Sequence, residues 1–306
     1  MKVLVIGTGS IGKRHAGNLE TLGARVTSLS MRGAGLGGAL ARLAEGWDAA
    51  VIATETQIRL PLIEVAAEKG IPLYIEKPLA PDPDTVSAVY RAAGPILNRS
   101  MVGFMMRYHP AFRHLAASDL TDAFRYCFEI GHDVTQWRQN WSFAKSYASR
   151  PEGGGVLLDL CHELDMAHCL FPGILSDVEC LGHVSYPGID AATQIARAGP
   201  IQGTVAMDYL APVAIRRVEI AGTRSRRSLD LLTGRLRDGT EERQFPIERN
   251  QMFLAILGDF LALAAGRAPS EVEHLPRLDR VRASCEEIAQ AYAGRRFTGH
   301  LDGPTP

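Results

Sequence analysis

With 306 residues, a formal net charge of -1, 46% hydrophobic and 22% charged residues, the chain has room for one large or two medium domains and the make-up of an ordinary globular protein. The balanced charge argues against nucleic acid and acidic membrane surfaces as partners, and no apolar run approaches the roughly 20 residues of a membrane span. Five cysteines, at 127, 161, 169, 180 and 285, form no CxxC pair and no zinc-type spacing, which points to reduced thiols in the cytoplasm and to no metal site. Met1-Lys2 leads straight into a strand, so no signal peptide is expected.

Strand and helix alternate over the first hundred residues. Runs at 3–6, 25–30, 49–53, 73–75 and 101–105 read as short apolar strands. Residues 10–22, a glycine-rich stretch leading into a helix that ends at 43, 57–69 and 84–93 read as the helices between them. This βαβ rhythm predicts a parallel sheet with helices on both faces. The rhythm changes near residue 118. A strand at 124–130 and a helix over 153–171 are followed by strands near 178–186, 201–210, 213–221 and 227–232. Helices over 251–265 and 277–293 close the chain. Strands without intervening helices predict a largely antiparallel sheet. The fold expected is thus α/β: a Rossmann dinucleotide-binding domain over 1–118, then an α+β domain over 119–306. One face of that second sheet should be covered by helices and the other by a partner subunit.

Three blocks carry chemistry. Gly7-Thr8-Gly9-Ser10-Ile11-Gly12 lies between a strand and a helix. Gly7 permits the tight turn, Gly9 lets a pyrophosphate approach the backbone, and Gly12 allows close helix–strand packing. The amides of Ser10 and Ile11 open the helix where a phosphate binds. The second strand ends in Ser30-Met31-Arg32, with no acid to hold a ribose 2′-hydroxyl. A hydroxyl and a guanidinium suit a 2′-phosphate, so NADP is preferred over NAD. Glu76-Lys77-Pro78 closes a buried strand of the same sheet and aims a lysine into the nucleotide crevice, where it can orient a substrate hydroxyl or relay its proton. In the third block, Gly153 to Asp165, a continuous helix would put Asp159, His162 and Glu163 on one face at i, i+3 and i+4.

Together these blocks resemble the Gfo/Idh/MocA family of NAD(P)-dependent oxidoreductases. The pieces are GTGSIGKRH, VIATETQIRLPLIEVAAEKGIPLYIEKPLA, VGFMMRYHP and GGGVLLDLCHELD, and the likeness spans nearly the whole length. It implies a Rossmann domain followed by an α/β domain whose large open sheet joins subunits into a homodimer or homotetramer. It implies hydride transfer between nicotinamide and a hydroxyl or keto carbon of a sugar, nucleotide sugar or cyclitol. Lys77, Asp159 and His162 would handle the substrate hydroxyl, and the Lys77-Pro78 bond is expected to be cis. Thr54 and Glu76 join the cofactor contacts, and Tyr147, Arg150 and Glu163 the substrate contacts. Trp137 and Trp141 are either core or pocket residues. The chain departs from the family pattern at Glu55 and Arg59, where proline and histidine are usual, and at Glu163, which holds the usual place of the histidine. Either His162 or Glu163 then faces the substrate. The departures also motivate an alternative, a cofactor-binding regulatory member without turnover.

Overall fold

The computed structural model describes residues 1–136, 142–271 and 273–302, which leaves Trp137 and Trp141 outside the described residues. The chain opens with β1 (Lys2–Ile6), α1 (Ser10–Thr21), β2 (Arg25–Leu29), α2 (Met31–Ala44), β3 (Ala49–Ile52), α3 (Arg59–Glu68), β4 (Leu73–Ile75), α4 (Pro83–Ala92) and β5 (Met101–Val102). Then come α5 (Pro110–Ala116), β6 (Ala123–Gly131), α6 (Val156–Asp159) and α7 (His162–Leu170). A run of strands follows: β7 (Ile174–His183), β8 (Tyr186–Ala198), β9 (Gln202–Asp208), β10 (Ile215–Gly222), β11 (Arg226–Asp230), β12 (Arg235–Asp238) and β13 (Glu241–Gln244). The chain finishes with α8 (Arg249–Ala264), α9 (Arg282–Ala293) and β14 (Arg296–Leu301).

The chain packs as two compact units. One comprises Met1–Tyr108 with Glu248–Glu286, the other His109–Ile247 with Glu287–Pro306. A single boundary near 118 was expected from the change of rhythm. The packing instead returns residues 248–286 to the first unit, and the division falls within α9. The cause is the apolar face of α8. Met252, Phe253, Ile256, Leu257 and Phe260 are buried there. Arg14 of α1 lies 5.0 Å over the Phe253 ring, and the Phe260 ring meets Tyr74 of β4 edge-on at 5.8 Å. Asn18 and Asn250 exchange amide hydrogen bonds at 3.1 and 3.0 Å.

The first unit holds a five-stranded parallel sheet in the order β2-β1-β3-β4-β5. Its inner strands β1, β3 and β4 are apolar runs without alternation, as a sheet covered on both faces requires. The strand order reverses between β1 and β3, the switch point where open α/β sheets bind ligands.

The second unit holds a nine-stranded sheet, β13-β12-β11-β10-β6-β9-β8-β7-β14. Most pairs are antiparallel, but β6 with β9 and β7 with β14 run parallel. Tyr126, Phe128, Ile195, Val205, Met207, Val218 and Ile220 alternate onto a buried face. The helix α7 packs on that face across β6 and β9. Arg125, Gln202 and Gln194 alternate onto the exposed face. On the buried face, the Arg197 guanidinium meets Glu287 of α9 at 2.9 Å and donates to the Phe171 carbonyl at 3.0 Å. Burial alone would push the Glu287 carboxyl up, but His168 and Arg197 hold it below the usual range.

Local pattern misplaces several elements. The expected helix over 153–171 is two helices, since Leu160 leaves helical geometry at φ -104° and ψ 23°. The last helix starts at Arg282 rather than near 277. The strands β8, rich in small and polar residues, and β14 were not expected. Each is defined by its pairing with β7.

Candidate active site

In the first unit, the carboxyl edge of the parallel sheet gathers the glycine loop after β1, Thr54 after β3 and Glu76-Lys77-Pro78 after β4. Gly7 has φ 108°, and a Cβ there would lie 2.3 Å from the Ala53 carbonyl oxygen. A Cβ on Gly12 would lie 1.9 Å from the Gly7 carbonyl oxygen. Both positions are therefore closed to other residues. Gly9 is the opposite case: among the described residues no atom of another segment lies within 4 Å of a Cβ placed on it, which leaves room for a pyrophosphate. The helix α1 starts directly behind it and presents the unpaired amides of a helix N-terminus. Ser30 holds the N-cap position of α2 without a side-chain capping bond, and Arg32 is exposed in the first turn.

The Lys77-Pro78 bond is cis. Lys77 is half-buried, whereas Glu76 is buried. Glu76, expected among the cofactor contacts, turns its carboxylate inward. Its Oε1 meets His15 Nε2 at 2.6 Å, and its Oε2 accepts from the Lys77 amide at 3.2 Å. Burial alone would push the Glu76 carboxyl up, yet the His15 hydrogen bond and the charges of His15, Lys77 and Arg59 hold it below its ordinary value. Arg59, at the start of α3, is also buried. It donates to the carbonyls of Thr54, Glu76 and Pro78.

In the second unit, Asp159 ends α6 and is buried. Its Oδ1 accepts from the Tyr147 hydroxyl, and its Oδ2 from the Tyr209 hydroxyl at 2.9 Å. The start of α6 is fixed from below. Asp190 Oδ2 accepts from the Leu157 amide at 2.9 Å, and Gly155, at φ 96°, leaves room for the Asp190 carboxylate. His162 begins α7 beyond the break, so Asp159, His162 and Glu163 do not share one continuous helix face. Leu160 and Cys161 form the turn between them, and the i, i+3, i+4 argument fails for that reason. Glu163 is buried and meets the Arg216 guanidinium of β10 at 2.6 Å, while His162 is half-buried and so the more accessible of the two. Tyr147 is 46% exposed, and Arg150 is exposed.

Two residues of this cluster gave no signal in the sequence. His132 follows β6 and Tyr209 follows β9, and their rings meet edge-on at 5.9 Å. Burial pushes the His132 imidazole down, against the pull of the Asp159 and Asp208 charges. Burial and the Asp159 charge push the Tyr209 phenol well up, so it remains a donor. The two come together because β6 and β9 run parallel in register, Gly131 beside Asp208. Lys77 belongs to the first unit; Asp159, His162 and Glu163 belong to the second.

A scan against models of known protein families matches none. Over 134 residues the chain is 31% identical to a myo-inositol dehydrogenase of Streptomyces leeuwenhoekii, a match covering 38% of this chain and 40% of that relative. The matched stretch thus spans well under two thirds of the relative's length. Among solved structures, an oxidoreductase of Agrobacterium radiobacter in complex with NAD+, L-tartaric acid and magnesium is similar over 96% of both chains, with a TM-score of 0.78 at 19% identity. The UDP-N-acetylglucosamine 3-dehydrogenase of Acidithiobacillus ferrooxidans is similar over 96% of this chain and 95% of its own, with a TM-score of 0.74 at 20% identity. The chain thus shares sequence with an inositol dehydrogenase over the matched stretch, and its two-unit fold with these oxidoreductases.

Proposed function

We propose that this chain is an NAD(P)-dependent dehydrogenase or reductase acting on a hydroxyl or keto carbon of a sugar, nucleotide sugar or cyclitol. The carrying observation is the carboxyl edge of the five-stranded sheet, where the glycine loop, Thr54 and Lys77 leave neighbouring parallel strands. Inositol and UDP-N-acetylglucosamine, for which similar dehydrogenases are named, suggest the substrate class.

The open side of Gly9 and the amides of Ser10 and Ile11 fit a pyrophosphate. A bound nicotinamide would supply or accept the hydride. Lys77 orients the reacting hydroxyl and takes or returns its proton. Asp159 and His162 hold the substrate, with Asp159 itself fixed by Tyr147 and Tyr209. Tyr147 and Arg150 are accessible for further contacts to a polyol. Glu163 acts through Arg216, its ion-pair partner. Ser30 and Arg32, at the start of α2, favour the 2′-phosphate of NADP over NAD. The exposed face of the nine-stranded sheet is the surface for a homodimer or homotetramer. The cysteines, none of them in a disulfide, fit a cytoplasmic protein. Among the described residues no helix is long and apolar enough to cross a membrane.

The test is nicotinamide absorbance with NADP+ and NAD+ against a panel including myo-inositol, glucose and UDP-N-acetylglucosamine, after fluorescence titration with NADPH and NADH. Substrate-dependent absorbance change that Lys77→Ala abolishes is the expected result. Cofactor binding without turnover across the panel would favour a regulatory member. No binding of either cofactor would overturn the reading.

A further inference from the structure

The arginine that replaces the usual histidine at position 59 is built into the turn that carries Lys77. Its Nε and Nη2 both reach the Thr54 carbonyl, at 3.1 and 2.6 Å. Its Nη1 donates to the carbonyls of Glu76 and Pro78, the residues on either side of Lys77. Arg59 is 3% exposed, and the buried Glu76 carboxylate lies within its electrostatic reach. That carboxylate accepts the Lys77 amide on one oxygen and faces His15 on the other. The backbone around Lys77 is therefore held from both sides, by a fork on the flanking carbonyls and by a carboxylate on the lysine's own N–H.

We infer that Arg59 is a positioning residue for Lys77, acting with the His15–Glu76 pair as a clamp on the Glu76-Lys77-Pro78 turn. The role rests on the proposed dehydrogenase reading, in which Lys77 meets the reacting hydroxyl. A planar guanidinium spreads five N–H donors over three nitrogens in a fixed fork, whereas an imidazole has at most two donors and an ammonium carries its three on a single nitrogen. The clamp also spans two strand ends, since Thr54 follows β3 and Glu76 follows β4. One side chain thus fixes the lysine turn against the loop after β3. Misplacing a reacting group by about 1 Å costs on the order of 100-fold in rate, so such a clamp has a catalytic effect without touching substrate.

Two measurements on the full chain test this. The first is amide hydrogen exchange over residues 73–80 in the wild type, Arg59→Lys and Glu76→Gln, which needs no ligand. The clamp predicts slow exchange in the wild type and exchange faster by about 10-fold or more in both variants, with the β1 and β9 peptides unchanged as a control for folding. Exchange over 73–80 that is fast in the wild type, or unaltered in Arg59→Lys, overturns the clamp. The second is a double-mutant cycle of Arg59→Lys with Lys77→Ala on turnover of whichever panel compound the wild type accepts. Arg59→Lys alone should lower kcat by about 10- to 100-fold with KM within about threefold. In the Lys77→Ala background it should add less than about twofold. A cost of equal size in both backgrounds overturns the positioning role even where the exchange result holds. A wild type that turns over nothing on the panel overturns the dehydrogenase reading and the positioning role with it, and the exchange result then stands as a structural clamp alone.

Discussion

The Tyr209 hydroxyl lies 2.9 Å from Asp159 Oδ2 and 3.2 Å from the Gly155 carbonyl oxygen, so one phenol links a buried carboxylate to the turn that starts its helix. Tyr209 is 1% exposed and Tyr147, the other donor to Asp159, is 46% exposed. Water can replace the second hydroxyl but not the first. Tyr209→Phe should cost about 1–3 kcal/mol in urea unfolding, and Tyr147→Phe clearly less. Both should reduce turnover, because each loosens Asp159. Equal stability losses in the two variants would contradict this assignment.

His109 supplies an acid-sensitive element in the second unit. Its ring faces the Leu231 carbonyl oxygen through Nε2 at 3.1 Å, and its Nδ1 accepts from the Phe112 amide at 3.4 Å as the cap of α5. Those roles require the neutral imidazole. Burial lowers its pKa to about 4, opposed by the Leu231 hydrogen bond and aided by the Arg216 charge. The folded value lies below the ordinary 6.5, so the unfolded chain binds the extra proton between the two. Stability contributed here is complete above about pH 6.5 and falls as pH drops towards 4, by on the order of 3 kcal/mol. Urea midpoints of the wild type and His109→Asn between pH 7 and 4 should converge as the pH falls. A constant gap would contradict the linkage.

The glycine loop separates binding from folding. Gly12→Ala places a methyl 1.9 Å from the Gly7 carbonyl oxygen and should lower the melting temperature as well as cofactor affinity. Gly9→Ala meets no other segment of the described residues within 4 Å and should fold as the wild type does. The added methyl would stand where a pyrophosphate approaches, so NADPH titration should show at least about 10-fold weaker binding. Unchanged affinity in Gly9→Ala would mean that the phosphates lie elsewhere.

The proposed preference for NADP rests on the start of α2. Arg32→Ala should weaken NADPH by about 10-fold and leave NADH nearly unchanged, since a charge-assisted contact to the extra phosphate is all that is lost. Paired fluorescence titrations decide it. Equal weakening of both cofactors would assign Arg32 a structural role.

Features that depend on local chemistry were legible in the sequence, and features that depend on pairing were not. Gly7, Gly9 and Gly12 announce a turn whose geometry glycine alone permits, and the apolar run ending at Ile75 announces a buried strand with Lys77 at its end. The break at Leu160 carries no proline or glycine to mark it. Arg59 reads in the sequence only as a departure from the family pattern, because its partners are backbone carbonyls, which have no sequence signature. His132 and Tyr209 follow strands whose parallel register only the folded sheet defines. The amphipathic stretch that became α8 was visible as a helix, but its choice of partner was not, because any apolar surface would have satisfied it.

The lone parallel pair at the middle of the second sheet has a consequence for how such a protein diversifies. Since β6 and β9 point the same way, their two exits open on one rim, where Tyr209 bonds Asp159 and His132 lies within the reach of its charge, from separate segments of chain. A graft at either exit would reshape what Asp159 meets while every strand keeps its register. The glycine loop and Lys77 leave from a different sheet, so such a graft would be confined to two loops of the second unit.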